Sequence, residues 1–364
     1  MKISEFLPIL ESLAPLAYAE DFDNVGLLVG EFDQEVSGVL VCHDALEEVV
    51  EEAMEKECNF ILCFHPILFS GLKKINGNNY VERAVIKAIR NNIAIYAIHT
   101  SLDNHQEGVN KILCDTLGLV DSKVLIPKKN YIQKLVTYAP KDNEKLIKDA
   151  LFRAGAGALG NYNKCSFSSS GLGSFEGNAK SEPRIGNKGE FVELEETKIE
   201  VVFERHLQKA ILKSLFESHP YEEVAFEIYS LENKLQNVGM GRIGYLEKPM
   251  EEREFLNMVK EKTKAGGIRH SAYRNKLVHK VAVLGGSGSF AIRDAIEQGA
   301  DAFITADLKY HQFYEAENKI VLADIGHFES ERYTKNYIVE FLSKKMPNFA
   351  VILSTVNTNP VNYI

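Results

Sequence analysis

The sequence of 364 residues predicts an α/β protein: a split α/β domain of two similar βα halves with an α+β module inserted between them. Three observations carry this expectation. Over 1–128, apolar runs of strand length alternate with helical stretches of roughly 10 to 15 residues, which indicates βαβ units and a mostly parallel sheet. Between 129 and 232 the rhythm breaks and a Gly/Ser-rich tract intervenes. Over 233–364 the βα rhythm resumes, as if two halves of one sheet enclosed the module. An insert of this kind keeps its own ends close together.

The elements follow in order. Ser4 can cap a helix running to about Leu13. Ser37 to Cys42 is a buried β run, and Asp44 sits where an N-cap belongs, ahead of a helix over Leu46 to Glu55. The strand Asn59 to Phe64 leads into a loop opened by Pro66. The helix Tyr80 to Asn91 and the strand Ile93 to His99 come next. In the module, the strand Lys134 to Tyr138 and the helix Asn143 to Arg153 precede Ala154-Gly155-Ala156-Gly157-Ala158-Leu159-Gly160, which is too glycine-rich for helix or regular strand. The chain stays Gly/Ser-rich through Gly177, so the module continues with loop-rich β structure. The strand Ile199 to Phe203, the helix Leu207 to Ser218 and the strand Val224 to Tyr229 complete it. Afterwards the strand Val281 to Leu284 enters Gly285-Gly286-Ser287-Gly288-Ser289 and a helix to about Glu297. The strands Ala302 to Thr305, Ile320 to Asp324 and Phe349 to Ser354 follow, with a helix before the second and the helix Ser330 to Lys344 before the third.

With 45% apolar and 26% charged residues, the chain has the composition of an ordinary globular protein and not of a disordered one. Its longest apolar runs, such as Ile93 to Ile98, are far short of the ~20 residues a bilayer requires. Near the start, Glu5, Pro8 and Glu11 interrupt any apolar segment of a secretory signal, so a cytoplasmic location and no membrane partner are expected. The net charge of −9 is unevenly placed: residues 1–128 carry −10 and the remainder +1. No basic stripe is present to displace counterions, which argues against double-stranded DNA as a partner. Five cysteines without a C-x-x-C pair argue against a disulfide framework or a structural zinc site. Cys63, beside His65, is a conceivable nucleophile only if it is exposed and paired with a base.

Ligands of open α/β sheets collect at the carboxyl ends of the strands, and there the sequence puts imidazoles and carboxylates. One strand ends in Phe64-His65, another in His99-Thr100-Ser101-Leu102-Asp103, and a late one in His327 with Glu331 four residues on. Residues four apart share a helix face, so His327 and Glu331 can grip one ion while Glu329 points elsewhere. Imidazole with carboxylate suits zinc, iron, manganese or cobalt. An Asp with two oxygens can bridge a metal pair at ~3.5 to 4 Å. For each strand end the alternative is an ordinary satisfied polar residue.

Four ordered blocks resemble those of the Nif-three-like proteins, also filed as GTP cyclohydrolase I type 2 homologues: Phe22-Asp23-Asn24-Val25-Gly26-Leu27-Leu28-Val29-Gly30, His65-Pro66-Ile67-Leu68-Phe69, His99-Thr100-Ser101-Leu102-Asp103 and Asp324-Ile325-Gly326-His327-Phe328-Glu329-Ser330-Glu331. The module, with Cys165-Ser166-Phe167 and His219-Pro220-Tyr221-Glu222-Glu223, is similar to the insert of the longer bacterial members, itself like trimeric nitrogen-regulator proteins. The resemblance implies a homohexamer built as trimers of dimers and a dinuclear metal centre. It implies His65, a bridging Asp103, His327 and Glu331 as ligands of divalent zinc, iron or manganese. Phe64 departs from it, because many bacterial relatives carry a first histidine there. The expectation is one tight ion and one weaker or water-completed ion.

Other residues keep two readings. His99 is either a proton shuttle or hydrogen-bond partner at the metal, or a structural residue at its strand end. Asp307 and His311, spaced i, i+4, either face the cleft and handle protons or substrate, or are an N-cap with a surface histidine. Asp23 and Asn24 either line the cleft or form the turn before Gly26. The Gly285 to Ser289 loop either receives an anion at a helix start or is a tight turn with close helix packing. His43, His105, His206, His270 and His279 read as surface or packing residues, and the helix bearing Glu47, Glu48, Glu51, Glu52 and Glu55 as a solvated face. The functional expectation is a metal-dependent hydrolase of a small molecule, with a nucleotide as one candidate substrate. The alternative is a ring-shaped metal-binding regulatory or scaffold protein.

Overall fold

Apolar residues in the strands Val39–Asp44, Phe60–His65 and Ala94–Ala97 are buried on both sides, as parallel strands with covered faces must be. In the computed structural model, which describes Met1–Ile364, Val39, Val41, Phe60, Leu62, Phe64 and Tyr96 pack in one core and Leu40, Cys42, Ile61, Cys63 and Ile95 in another. The alternation has the two-residue period of the pleat. The chain divides into two units, Met1–Ile126 with Asn237–Ile364, and Pro127–Gln236.

The first unit contains two sheets. One has five strands in the order Gly26–Val29, Ala94–Ala97, Phe60–His65, Val39–Asp44, Val351–Leu353. Its first pairing is antiparallel and the others are parallel. The other sheet has six strands in the order Arg269–His270, Val321–Asp324, Ala302–Ala306, Leu277–Ser287, Leu235–Glu251, Leu119–Lys128. Its three central strands run parallel. The two βα halves thus do not share one sheet as the resumed rhythm suggested. Strands that the apolar pattern misses, Leu119–Lys128 and the 17-residue Leu235–Glu251, complete the second sheet, and the last strand returns to the first.

Several local expectations change for identifiable reasons. Helix Glu47–Glu55 begins after Leu46, so Asp44 is no N-cap; it ends its strand with the side chain free for another partner. Asn79 is the true cap of Tyr80–Arg90, accepting from the Glu82 N–H at 2.9 Å. The late helix is broken: His327–Glu331 is a single short turn, and Thr334–Lys345 follows separately. Of the acidic helix, Glu52 is buried, while Glu47 and Glu51 pair with Arg83 and Lys87 on the neighbouring helix. Cys63 is fully buried, its thiol donates to the Tyr96 carbonyl at 3.3 Å, and burial pushes its pKa up; it is no nucleophile. No helix is long and apolar enough to cross a membrane.

The second unit is an antiparallel four-stranded sheet in the order Ser166–Glu176, Phe191–Glu204, Ile132–Ala139, Phe226–Ser230. Helices Glu144–Arg153 and Gln208–Ser218 contribute Ile147, Leu151, Ile211 and Leu215 to a core with Leu135, Ile199, Val201 and Phe203. The Ser/Gly tract after Cys165 is a regular strand, paired along its whole length with Phe191–Glu204.

Candidate metal centre

The carboxyl ends of the parallel strands in both sheets line one cleft of about 650 Å³ within the first unit, as open α/β sheets arrange their ligand sites. Asp44 and His65 come from the five-stranded sheet, Gly285 to Ser287 and the His327 turn from the other, and His99 and Asp103 from the short helix His99–Asp103.

Two imidazoles are held in the same manner. His65 Nδ1 meets Asp44 Oδ1 at 2.8 Å, which leaves Nε2 to face Glu331 Oε2 at 3.3 Å. His327 Nδ1 meets Asp307 Oδ2 at 2.6 Å, and its Nε2 faces the same Glu331 oxygen at 3.4 Å. A carboxylate on the far ring nitrogen fixes tautomer and orientation and raises basicity, the usual support of a metal-binding histidine. One ligand atom each from His65, His327 and Glu331 lies within 4.8 Å of the others. Glu331 Oε2 is buried and has no hydrogen-bond partner, and Asp103 Oδ1, in the wall of the same cleft, is in the same state. Buried polar atoms are rarely left unpaired, and a cation held by His65, His327 and Glu331 would satisfy Glu331; Asp103 is not one of the residues within that 4.8 Å.

The electrostatics agree with a site built for positive charge. Burial opposes the charge on His65, but the Asp44 hydrogen bond and the charges of Glu331 and Asp44 outweigh it and raise its pKa to about 9. Burial likewise opposes charge on His327, yet the Glu331 charge and the Asp307 hydrogen bond raise it to about 11. Glu331 is buried, and the surrounding imidazoles still hold its carboxyl well below the usual range. Asp103 moves the other way: burial first, then repulsion from Glu331, pushes it well above the usual value. Two such carboxyl groups without an intervening cation cannot both ionise cheaply.

The backbone makes room for these groups. Gly286 adopts φ +68°, and a Cβ there would lie 2.5 Å from Glu331 Oε1 and 3.2 Å from His327 Nε2. The Gly285 and Gly286 N–H groups donate to Asn110 Oδ1 and Ser330 Oγ at 3.0 and 2.8 Å. Gly285 to Ser287 are therefore not a loop but the end of the strand Leu277–Ser287, where the register shifts between Val283 and Ser287, and these two N–H groups are already used and unavailable to an anion. Asp307 sits at φ +55°, an uncommon conformation for a residue with a side chain, and its carboxylate also accepts from Ser287 Oγ.

His99 lines the cleft, with Nδ1 2.9 Å from Asp23 Oδ1. Burial opposes the ionised form of Asp23, but His99 and Thr100 lower its pKa overall. Asn24 donates to the Leu68 carbonyl, 44 residues away, which ties its segment to the loop after His65, and neither Asp23 nor Asn24 is among the residues lining the cleft. His311 lies outside the cleft lining, exposed beside Tyr310 and Tyr314. The reading that sets His311 and Asp307 on the cleft side of one helix is not met, because no α-helix joins them: Asp307 is left-handed and Tyr310–Ala316 is a 3₁₀ segment.

Sequence reasoning passed over Asp44 and His43. Asp44 resembled an N-cap, and only its strand register opposite His65 identifies it as the partner of that ring. His43 is an alternate residue in an apolar strand and reads as packing; its Nε2 lies 3.3 Å from Glu331 Oε2.

A model of the Duf34/NIF3 (NGG1p interacting factor 3) family matches residues 1–360. A Bacillus subtilis (strain 168) protein named GTP cyclohydrolase 1 type 2 homolog is 36% identical over 366 residues, covering 99% of this chain and 98% of its own length. A Halalkalibacterium halodurans protein of the same name is 35% identical, with 98% of each covered. The crystal structure of a Bacillus cereus protein related to NIF3 superposes with a TM-score of 0.85 at 34% identity, covering 100% of this chain and 99% of its own. A Staphylococcus aureus protein gives 0.80 at 30% identity with the same coverage. By family model, sequence and fold over nearly its whole length, the chain belongs to the Duf34/NIF3 family.

Proposed function

We propose that the chain is a divalent-metal-dependent hydrolase acting on a small molecule, with His65, Asp103, His327 and Glu331 as metal ligands. The observation that carries the reading is Glu331 Oε2, buried without a hydrogen bond and faced by two imidazole Nε2 atoms whose other nitrogens are held by carboxylates. The mixed nitrogen and oxygen donors suit zinc, iron or manganese. When bound, such an ion supplies Lewis-acid chemistry, acidifying water and polarising a carbonyl or phosphoryl oxygen.

The chain's own residues would do the rest. His99, oriented by Asp23, presents a free ring nitrogen for proton transfer. Asp44 and Asp307 hold the ligand imidazoles against rotation. Phe22, Phe69, Tyr80 and Phe290 line the cleft and suit a substrate with a flat ring. The relatives' name, GTP cyclohydrolase 1 type 2 homolog, makes a purine nucleotide the first substrate to test. A purely structural ion would need a closed coordination shell; the His327 side chain is 38% exposed, which favours an accessible one. Assembly into a homohexamer is part of the proposal, and sedimentation velocity measures it.

The test is incubation of metal-loaded protein with a panel of nucleotides, phosphomonoesters and phosphodiesters, read by chromatography. Turnover that disappears with chelator and in Glu331→Gln is expected. Silence across the panel by a protein shown to carry its metal would remove the hydrolase reading.

A further inference from the structure

His43 is 2% exposed, and neither of its ring nitrogens has a hydrogen-bond partner. Packing alone is a poor reason for an imidazole there, since a hydrocarbon side chain would fill the space without burying two polar atoms. The ring lies among Phe64, His65 and Phe328, with centroids at 5.4, 4.6 and 5.1 Å. Its Nε2 stands 3.3 Å from Glu331 Oε2, the buried oxygen that also faces His65 Nε2 at 3.3 Å and His327 Nε2 at 3.4 Å. Three imidazole nitrogens thus surround one buried carboxylate oxygen that makes no hydrogen bond. Each nitrogen-to-oxygen separation is that of two donors on one ion, since atoms ~2.1 Å from a tetrahedral metal lie ~3.4 Å apart, and one ligand atom each from His43, Asp44 and His65 lies within 4.8 Å of the others.

We infer that His43 is a metal ligand, supplying from the strand Val39–Asp44 the imidazole that Phe64 cannot supply from the strand Phe60–His65. The register pairs Cys42 with Cys63 and Asp44 with His65, so His43 and Phe64 are side by side on adjacent parallel strands. Side chains alternate faces along a strand, and the core that takes Val39 and Val41 also takes Phe60, Leu62 and Phe64. His43 and Phe64 therefore share one face, one strand apart. A histidine at 43 can reach the carboxylate from there while Phe64 completes the apolar wall behind it. The strand end then has two roles at one site, because Asp44 orients His65 while His43 binds beside it.

The inference rests on the reading that the cleft holds a divalent ion, and the experiment separates the two. Full-length protein is stripped with chelator and loaded with half an equivalent of Zn²⁺ per chain. Imidazoles on zinc are counted by X-ray absorption, and zinc affinity is measured by chelator competition in wild type and His43→Leu. Three imidazoles in wild type, and two in His43→Leu with affinity lowered ~100-fold or more, are expected. Two imidazoles in wild type, or unchanged affinity in the variant, would overturn the role of His43 and leave the metal reading standing. Absence of zinc binding by wild type would overturn both. Should His43→Leu fail to fold, the wild-type count decides alone.

Discussion

In the five-stranded sheet His65 is held by Asp44, from the end of the adjacent parallel strand. In the six-stranded sheet His327 is held by Asp307, which follows the strand adjacent to the one leading into the His327 turn. The plan is repeated, but at different depths. The Asp44 side chain is 27% exposed and also accepts from Thr358 Oγ1 at 2.5 Å. Asp307 is 48% exposed, takes its second bond from Ser287, and occupies the left-handed region. Two strands lying side by side thus create a histidine with an oriented free nitrogen wherever an Asp ends the neighbour. How firmly that nitrogen is aimed depends on what covers the Asp.

Removing the group on which both halves converge should have the largest effect. Glu331→Gln keeps the shape but withdraws the charge facing His43, His65 and His327, and zinc affinity should fall by more than ~100-fold, since loss even of an outer partner costs 10 to 100-fold. Calorimetric titration of metal-free protein measures it. Retained affinity would mean that the two halves do not meet at one ion.

Asp44→Asn and Asp307→Asn test the difference itself. Each should lower metal affinity ~10 to 100-fold by releasing a ring nitrogen, with the larger loss at Asp44, where the partner is better shielded from water. Equal losses would show that depth does not matter, and a larger loss at Asp307 would reverse the comparison.

Much of this plan is legible in the sequence because strand ends and i, i+4 spacing are local. His65 follows an apolar run, and His327 with Glu331 spans one helical turn. Asp44 and His43 are not legible this way, since their partners are chosen by strand register and the return of the chain after Leu353, both long-range. The strand Leu235–Glu251 was likewise hidden, because Gly239, Gly241 and Gly244 interrupt its apolar alternation. At Gly244 a Cβ would meet the Val120 carbonyl at 2.9 Å, so it is tertiary crowding that explains this glycine. Helix Glu252–Thr263 buries Phe255, Leu256 and Val259, too narrow a stripe in a charged stretch to stand out.

Acid and base affect the halves differently. Both histidines have raised folded-state pKa values, so without metal each contributes stability that is fully present below about 6.5 and lost as pH rises, through about 9 for His65 and about 11 for His327. Metal competes with those protons, and affinity should climb with pH up to these values. In Asp307→Asn the His327 step should move down while the His65 step stays. Histidine NMR titration of metal-free protein follows both, and movement of the two together would show one coupled unit instead of two parallel ones.

The smallest effect should come from the strap that shields Asp44. Glu52 accepts from the Thr355 N–H at 2.8 Å and the Thr355 hydroxyl at 2.6 Å, and Ser354 Oγ also donates to it. This anchors the segment that carries Thr358 to Asp44. Burial works against the charge, yet bonds from Lys56, Ser354 and Thr355 lower the Glu52 pKa from 4.5 to about 2. A depressed carboxyl contributes stability that is present above about 4.5 and lost as pH falls through about 2. Glu52→Gln should therefore cost on the order of 1 to 3 kcal/mol at neutral pH and flatten the acid limb of the stability curve, measured by urea unfolding. It should also weaken zinc binding a few-fold, through Asp44 alone. A variant that loses stability but keeps full metal affinity would mean that the strap braces the sheet without steadying Asp44, and that the tighter hold on His65 comes from the strand register.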